Sequence, residues 1–503
     1  MGKKDKSKKK GKGAEKTQLK TEKKLSNKLK KTLKDLGEDD IETIVKEIER
    51  AEQKRTQVTE SVVDVPSRRV NFTFVSHPDK DQLILYGGEY FNGQRTFIYN
   101  DLFFYNISNN TWTLVQAPKC PPPRCGHQMV TSSANKGQLW VFGGEFASPT
   151  QSQFYHYRDL WVYHLDKKQW EKIMAPDGPS ARSGHRMVLI KKQLFVFGGF
   201  HDNLRDCKYF NDIYSFHLET FKWKKIEPVG TPPAPRSGCC MAPLPDHRIL
   251  IYGGYSKENI KKDIDKGHIY TDAFILGLDK HDPNKQKYKW QQVKLGNQHF
   301  SPRCSMPMVT TVNGQYSYCF GGVFDVEDDE ILSGNFFNDF IQLDLEKMGW
   351  KRLTLTEKKD AKTKRRKIKE DDQEEEVEPI METEPISITT LSDDGVFKVI
   401  VGAALRETRT EPNPKETNQI FQPSARMNCG LAIKHGLLYL YGGAYEDGER
   451  EITYSDFYSV DLRKLDQWKV IIQNDTSQVE WLGSDSESEE DSETSDSSGM
   501  ETD

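Results

Sequence analysis

The chain has few apolar residues and no long run of them. Hydrophobic residues make up 35% of its 503 residues, and the mean hydropathy is −0.75. No stretch of about 18 apolar residues occurs, so the sequence predicts no membrane-spanning helix. The sequence begins with lysines and has no apolar segment behind them, so we expect no signal peptide.

Motifs for catalysis and metal binding are also scarce. The eight cysteines form no Cys-x-x-Cys pair, and Cys120, Cys125 and His127 make up no more than half a zinc site. Most cysteines lie in strand-like apolar runs, which favours reduced thiols and a cytoplasmic or nuclear protein. No Gly-x-Ser-x-Gly motif is present, and the histidines are too scattered for a copper site. We therefore predict a protein that is not an enzyme and uses no cofactor or metal.

Charge of each sign is concentrated at opposite ends of the sequence. Residues 1–34 hold 15 lysines against three acidic residues, whereas residues 484–503 hold nine acidic residues and no basic one. Such blocks are typical of solvated, disordered segments. A lysine block can also serve nuclear import or attract nucleic acid through its phosphates. The serines that precede acidic residues near the end are candidates for phosphorylation.

One pattern recurs six times between residues 66 and 472, mostly at a spacing of about 55 residues. Each unit contains an arginine, a Gly-Gly pair, an aspartate and a tryptophan in that order. The arginines are Arg69, Arg124, Arg182, Arg236, Arg303 and Arg426. The Gly-Gly pairs begin at Gly87, Gly143, Gly198, Gly253, Gly321 and Gly442. The aspartates are Asp101, Asp159, Asp212, Asp272, Asp339 and Asp456. The tryptophans are Trp112, Trp170, Trp223, Trp290, Trp350 and Trp468.

The apolar runs within each unit predict four short strands. In the third unit the runs begin at His185, Leu194, Ile213 and Trp223, and each is too short for a helix. Glycine pairs suit a strand that bends or approaches another backbone closely. Tryptophan suits an apolar wedge between neighbouring sheets. A repeat of this length with four strands predicts a ring of similar units.

The pattern resembles the kelch repeat, and the resemblance extends over roughly four-fifths of the chain. It implies an all-β, six-bladed β-propeller, preceded by a basic region with short helices. A charged insertion is expected between blades 5 and 6, and an acidic tail after blade 6. We expect these segments to have the following boundaries: 1–65, the basic arm; 66–353, blades 1–5; 354–420, the insertion; 421–473, blade 6; and 474–503, the tail.

The resemblance also implies a binding face formed by the loops beside the arginines and after the Gly-Gly pairs. Arginines favour carboxylate or phosphate groups, and aromatic residues beside them are typical of protein-binding hot spots. The candidate partner-binding residues are the six repeat arginines together with Tyr90, Phe146, His201, Tyr255, Phe324 and Tyr445. An architectural role, in which each arginine forms hydrogen bonds to neighbouring loops, is as well supported by the sequence as a partner-binding role.

These observations favour a monomeric interaction scaffold that binds a segment of another protein, with an acidic segment as one candidate. Two alternatives remain open at this point. The chain could be a substrate-recognition subunit of a ubiquitin ligase, although the first 65 residues are too short and charged for an adaptor domain. It could also associate with nucleic acid through the lysine-rich segment, although that segment lacks interleaved aromatics.

Overall fold

The computed structural model describes most of the repeat region and part of each flank. The described residues are 31, 33, 37–202, 207–261, 264–284, 286–297, 300–327, 332–356, 421–448, 450–474 and 481–483. From residue 357 onward, the expected insertion lies outside the described residues, as do nearly all of residues 1–36 and 484–503. No helix in the described part is long and apolar enough to cross a membrane.

Six antiparallel sheets form the body of the protein, one from each repeat. Blade 1 and its hairpin contain β1 (Thr59–Val63), β2 (Thr73–Ser76), β3 (Gln82–Tyr86), β4 (Glu89–Phe91), β5 (Thr96–Ile98), β6 (Leu102–Asn106) and β7 (Thr111–Gln116). Blade 2 contains β8 (Gln128–Ser132), β9 (Gln138–Phe142), β10 (Glu145–Ala147), β11 (Phe154–His156), β12 (Leu160–His164) and β13 (Gln169–Ile173). Blade 3 contains β14 (Arg186–Ile190), β15 (Gln193–Phe197), β16 (Phe200–Asp202), β17 (Cys207–Tyr209), β18 (Ile213–His217) and β19 (Lys222–Ile226).

The remaining blades repeat this plan with small variations. Blade 4 contains β20 (Cys240–Pro243), β21 (Ile249–Lys261), β22 (Ile264–Leu278) and β23 (Tyr288–Val293). Blade 5 contains β24 (Met308–Thr310), β25 (Tyr316–Phe320), β26 (Val323–Glu327), β27 (Leu332–Phe336), β28 (Phe340–Asp344) and β29 (Gly349–Arg352). Blade 6 contains β30 (Gly430–Lys434), β31 (Leu437–Asp447), β32 (Arg450–Asp461) and β33 (Trp468–Ile472). The predicted four-stranded, six-bladed propeller is confirmed.

The inner strands of the blades contact one another in a ring, in the order β2, β8, β14, β20, β24 and β30. Ring closure needs no exchange of strands, because blades 1 and 6 each supply their own four. The two meet at β2 and β30, where Ser76 Oγ donates to the Ile433 carbonyl at 2.7 Å. Strand β1 adds a fifth, outermost strand to blade 1 by pairing with β7.

The tryptophans form the predicted wedges between blades. Each packs against the aromatic residue that precedes the Gly-Gly pair of the neighbouring blade, with ring centroids 5.0–5.8 Å apart. The pairs are Trp112–Tyr441, Trp170–Tyr86, Trp223–Phe142, Trp290–Phe197, Trp350–Tyr252 and Trp468–Phe320. Burial of two large rings at five junctions, and of Phe142 against the partly buried Trp223 at the sixth, therefore stabilises the ring as a whole.

Helix α1 (Ile41–Gln53) lies against blade 2. Asp40 caps its first turn by accepting from the Glu42 amide at 3.1 Å. The apolar stripe of the helix places Val45, which is 3% exposed, among Phe146 and Tyr157. The basic region therefore contributes an element that docks on the propeller.

Candidate functional site

The Gly-Gly pairs, the arginines and the aspartates all lie at one end of the blades. This end also carries six two-stranded hairpins, which we call the hairpin face. Four hairpins are separate sheets (β4–β5, β10–β11, β16–β17 and β26–β27), and two are extensions of β21–β22 and β31–β32. The sequence places the hairpins there because each one begins directly after a Gly-Gly pair.

The six repeat arginines are buried, with exposed fractions between 0% and 4%. Each guanidinium forms an ion pair with the aspartate of its own repeat, at N–O distances of 2.5–3.1 Å. Each also donates to the carbonyl of the first glycine of its own Gly-Gly pair, at 3.0–3.3 Å. An aromatic ring lies 3.7–4.2 Å from each guanidinium carbon. These rings belong to Tyr99, Tyr157, Phe210, Tyr270, Phe337 and Tyr454.

This geometry contradicts the expectation that the arginines form an exposed ring for a partner. Their charges are neutralised within each blade and their donors are used by the protein. For Asp159, burial alone would raise the pKa of the carboxyl, but the Arg124 guanidinium outweighs it and holds that pKa below its ordinary value. The architectural alternative is therefore the one that the structure supports for all six arginines.

The glycines allow neighbouring blades to approach each other through these arginines. The amide of the second glycine donates to the arginine carbonyl of the next blade at 2.9 Å in four junctions. At Gly198, with φ of +67°, an added Cβ would lie 2.6 Å from the Arg236 carbonyl oxygen. The close approach of two backbones, which the sequence suggested as one reason for the glycines, is thus confirmed.

A ring of residues with positive φ surrounds the axis at the hairpin face. Each stands two positions after a repeat arginine, and the φ values lie between 49° and 62°. They are Asn71, Gly126, Gly184, Gly238, Ser305 and Asn428. Backbone hydrogen bonds of 2.9–3.0 Å join Gly126 to Asn71, Gly184 to Gly126, Gly238 to Gly184, and Asn428 to Ser305. Sequence reasoning missed this ring, although Gly or Asn at that position in five of the six repeats was a usable signal.

The ring borders a central cavity of about 510 Å³ that is lined by the inner strands. Thr73, Gln128 and Met308 line it along with Arg186, whose Nε donates to the Cys239 carbonyl at 2.6 Å. His127 is buried beside Thr73, with Nε2 2.9 Å from the hydroxyl oxygen, and burial lowers the pKa of the imidazole to about 3. This histidine is therefore a neutral structural residue.

Five of the six predicted aromatic and histidine residues lie half-buried on the hairpin face. Tyr90 stacks on Phe97 at 6.3 Å, and Tyr445 packs on Phe336 at 4.9 Å. Phe324 lies in β26 on the hairpin of blade 5. The sixth residue, Phe146, is a correction: it is only 7% exposed, because α1 covers it.

The other two predicted residues belong to aromatic groups on blades 2–4. His201 lies 4.6 Å from His156, ring centre to ring centre. The ring centres of Tyr255 and Tyr209 lie 6.3 Å apart. The sequence did not single out His156 or Tyr209, because the residue type at this hairpin position differs between blades: Ile98, His156 and Tyr209 are equivalent in blades 1–3.

A carboxyl that is 18% exposed and a buried histidine meet at the border between blades 2 and 3. Glu145 Oε2 lies 3.4 Å from His156 Nε2, which accepts a hydrogen bond from the Asp202 amide at 3.0 Å. Burial, assisted by the charge of Glu89, raises the pKa of Glu145 to about 8. Burial lowers the pKa of His156 to about 4. Both groups are therefore held neutral near pH 7, and among the described residues no group of three or more His, Cys, Asp or Glu could hold a metal ion.

Comparisons with known proteins agree with this architecture. The family model for the beta-propeller domain of FBX42 matches residues 69–283. Acyl-CoA-binding domain-containing protein 5 of Arabidopsis thaliana is 28% identical over 256 residues, which cover 48% of this chain and 34% of that protein. Kelch domain-containing protein 3 of Rattus norvegicus is 30% identical over 161 residues, which cover 31% of this chain and 41% of that protein. Kelch domain-containing protein 10 of Xenopus tropicalis is 28% identical over 223 residues, which cover 42% of this chain and 48% of that protein.

The chain thus spans about a third to a half of the length of these curated relatives. Among solved structures, that of YjhT has 13% sequence identity and a TM-score of 0.49, over 81% of this chain and 98% of that one. The family-model match and the kelch-domain relatives show that this chain is similar to kelch and beta-propeller proteins, each over less than half of its length. Propellers of this kind are generally protein-interaction scaffolds and are typically not enzymes.

Proposed function

We propose that the chain is an interaction scaffold that holds a segment of another protein across its hairpin face. The observation that carries this proposal is the set of partly exposed aromatic groups on the hairpin face. Tyr90 with Phe97, Tyr209 with Tyr255, and Phe336 with Tyr445 lie on hairpins of different blades. Rigid aromatic rings at such positions give large contact area at low cost in conformational entropy.

Burial of the arginines changes the charge expected of the partner. The hairpins of blades 6, 1 and 2 carry acidic side chains, namely Glu446, Glu451, Glu89 and Glu145. The hairpins of blades 3 and 4 expose Lys208, Lys257 and Lys266, with Glu258 opposite Lys266 in the ladder. A segment with an acidic part over the lysines of blades 3–4 would complement this face. The carboxyls of Glu145 and Glu451 on blades 2 and 6, whose pKa values burial raises to about 8 and about 7, offer hydrogen bonds more than negative charge near neutral pH. A uniformly acidic ligand is less well matched than the sequence alone suggested.

The matched test compares one variant on this face with one at the other end of the propeller. Tyr90→Asp/Tyr255→Asp changes two separate hairpins, whereas Val312→Asp lies in the turn between β24 and β25 and its side chain is fully exposed. Proteins that co-purify with the unchanged chain are quantified for both variants, after confirming equal melting temperatures. We expect the same proteins to fall at least about tenfold with the hairpin variant and to stay unchanged with Val312→Asp. Equal recovery with both variants would refute the proposal.

Neither alternative function gains a specific observation from the described residues. Nothing among the described residues marks a site for a component of a ubiquitin ligase. The lysine-rich segment that would bind nucleic acid lies almost entirely outside the described residues. We therefore retain the protein-interaction function alone.

A further inference from the structure

One arginine of the inner strands has no carboxylate partner among the described residues. Arg186 begins β14 and lines the central cavity. Its Nε donates to the Cys239 carbonyl at 2.6 Å, and its Nη1 donates to the His185 carbonyl at 3.2 Å. Each repeat arginine, by contrast, forms an ion pair with an aspartate. Arg186 therefore brings a positive charge to the cavity that no described acidic residue neutralises.

The third nitrogen of this guanidinium is the one that a ligand can reach. Nη2 bonds to no described residue, and it is not one of the enclosed polar atoms that lack a partner, so it is open to the cavity. It carries two N–H groups, and a guanidinium stays protonated in a protein. Arg186 thus offers two donors and a permanent charge inside the propeller.

The fold does not require this arginine, because its position is not repeated. Four residues after the repeat arginine, the other five blades have Thr73, Gln128, Cys240, Pro307 and Gly430. None of these residues is charged, and their blades contribute inner strands to the same ring. A charge at this position in one blade alone indicates a local role and not an architectural one.

The cavity around Arg186 has the size of a small-molecule site and little competing charge. Its volume is about 510 Å³, and such sites measure roughly 300–1,000 Å³. Glu145 is the one acidic residue among the described residues that line the cavity. The pKa of its carboxyl is raised to about 8, so it carries little charge near pH 7. Arg186 is therefore the charged group of the cavity at that pH.

Hydrogen-bonding groups lie beside Arg186, and apolar walls lie beyond them. Gln128 has the same position on β8, the neighbouring inner strand. Its Nε2 donates to the His127 carbonyl at 3.2 Å, which leaves one amide N–H and the amide oxygen for a ligand. The apolar lining residues include Val75, Val130, Val188 and Leu431. A few polar groups in a mostly apolar cavity are the usual composition of a small-molecule site.

The ring of positive-φ residues limits what enters this cavity from the hairpin face. Four of its six junctions are joined by backbone hydrogen bonds of 2.9–3.0 Å. At a fifth junction, an added Cβ on Gly238 would lie 4.0 Å from the Ser305 amide nitrogen. Backbones joined by hydrogen bonds lie about 5 Å apart, so six of them around an axis stand on the order of 5 Å from it. Such an opening admits a small molecule and excludes a folded segment of a partner.

From these features we propose that the central cavity binds a small oxyanion, a compound with a phosphate or carboxylate group, at Arg186. A guanidinium forms short, charge-assisted hydrogen bonds with both groups, and its planar shape matches their oxygens. The apolar walls enclose the rest of the compound. This site goes beyond the interaction function of the hairpin face, because neither the aromatic groups nor a protein partner takes part in it.

Equilibrium dialysis of the full chain against radiolabelled inorganic phosphate tests this site directly. Arg186→Gln removes the charge and keeps a polar side chain. Arg463→Gln is the matched control, because it removes an arginine whose side chain is 77% exposed, in the turn between β32 and β33. Sodium chloride holds the ionic strength constant. We expect phosphate binding to weaken at least about tenfold in Arg186→Gln, since a hydrogen bond to a charged group is lost, and to stay unchanged in Arg463→Gln.

Radiolabelled succinate is the second probe, and it distinguishes the two kinds of oxyanion. Tighter binding of succinate identifies carboxylate as the preferred group, and tighter binding of phosphate identifies phosphate. Either result supports the site when Arg186→Gln weakens the binding. Arg186→Lys keeps the charge without the planar fork, so it should retain part of the binding.

Equal binding to the parent and to Arg186→Gln would overturn the proposal, and so would binding of neither probe to the parent. Melting temperatures show whether each variant is folded. If Arg186→Gln is not, a crystal structure of the unchanged chain grown with phosphate decides the question. The proposal requires a phosphate within hydrogen-bond distance of Arg186 Nη2, and phosphate bound only elsewhere would refute it.

Discussion

Replacing Arg426 by methionine is expected to destabilise the propeller by about 3–5 kcal/mol, because it leaves a buried carboxylate without its partner. Arg426 and Asp456 have side chains that are 0% and 1% exposed, and they share two hydrogen bonds of 2.6 and 2.8 Å. The same guanidinium donates to the Gly442 carbonyl at 3.0 Å and to the Ser424 carbonyl at 2.9 Å. Methionine restores part of the volume but none of these donors.

The other repeats provide graded comparisons. In blade 1 the partner Asp101 is 29% exposed, so Arg69→Met leaves a carboxylate that water can reach and should cost about 1–3 kcal/mol. Arg463→Met removes an exposed arginine, 77% accessible and 3.6 Å from Asp461, and should change stability by less than about 0.5 kcal/mol. The double variant Arg426→Met/Asp456→Leu removes the stranded charge and should recover about half of the loss or more.

Equilibrium unfolding in urea, followed by tryptophan fluorescence, measures these differences. The tryptophans lie at the junctions between blades, so their signal reports loss of the ring. The reasoning is wrong if Arg426→Met is no more destabilising than Arg463→Met. It is also wrong if the double variant is less stable than Arg426→Met, since the penalty would then not come from the unpaired carboxylate.

Three further predictions follow from the same structure. Gly198→Ala should lower the free energy of unfolding in urea by at least about 2 kcal/mol, because the new Cβ collides with the Arg236 carbonyl. Gly448→Ala is the control: its φ is +58° but the space around it is open, so it should cost only about 1 kcal/mol. Equal losses in the two variants would show that the collision is not the cause. The folded state holds protons on Glu145 and Glu451 that the unfolded chain releases, because burial raises their pKa values to about 8 and about 7. Stability should therefore fall as pH rises from about 4.5 to 8, and Glu145→Gln/Glu451→Gln should flatten that fall in melting experiments across pH; an unchanged slope would contradict it. Native alkylation followed by mass spectrometry should modify Cys207 quickly and the seven buried thiols only on unfolding, and rapid modification of Cys240 or Cys319 would contradict the packing between blades 4 and 5.

The blades were predictable from sequence because every repeat carries the same local signals. Strands β14, β15, β18 and β19 each begin within one residue of their predicted starts, since period-two patterns and glycine stops act over a few residues. The basic region was expected to hold short helices, and the Asp40 cap and apolar stripe of α1 are local signals of the same kind. Such signals need no knowledge of distant contacts.

The candidate site was harder to predict, because exposure depends on residues that are distant in sequence. Arg124 reads as a cation on a loop, yet Asp159, 35 positions later, and the Tyr157 ring enclose it. Phe146 reads as an aromatic anchor, yet α1, about 100 positions earlier, covers it. Repetition identified these residues as important without showing which surface they serve. His156 and Tyr209 gave no signal, because the residue type at their hairpin position differs between blades.

The most direct test of the account is photo-crosslinking from single positions on the propeller. A photoreactive phenylalanine analogue replaces Tyr255 on the hairpin face, Tyr445 on a second hairpin, or Val312 at the opposite end. The account predicts that Tyr255 and Tyr445 cross-link to one and the same partner protein and that Val312 does not. Cross-linking of that partner from Val312, with none from the two hairpin positions, would contradict it.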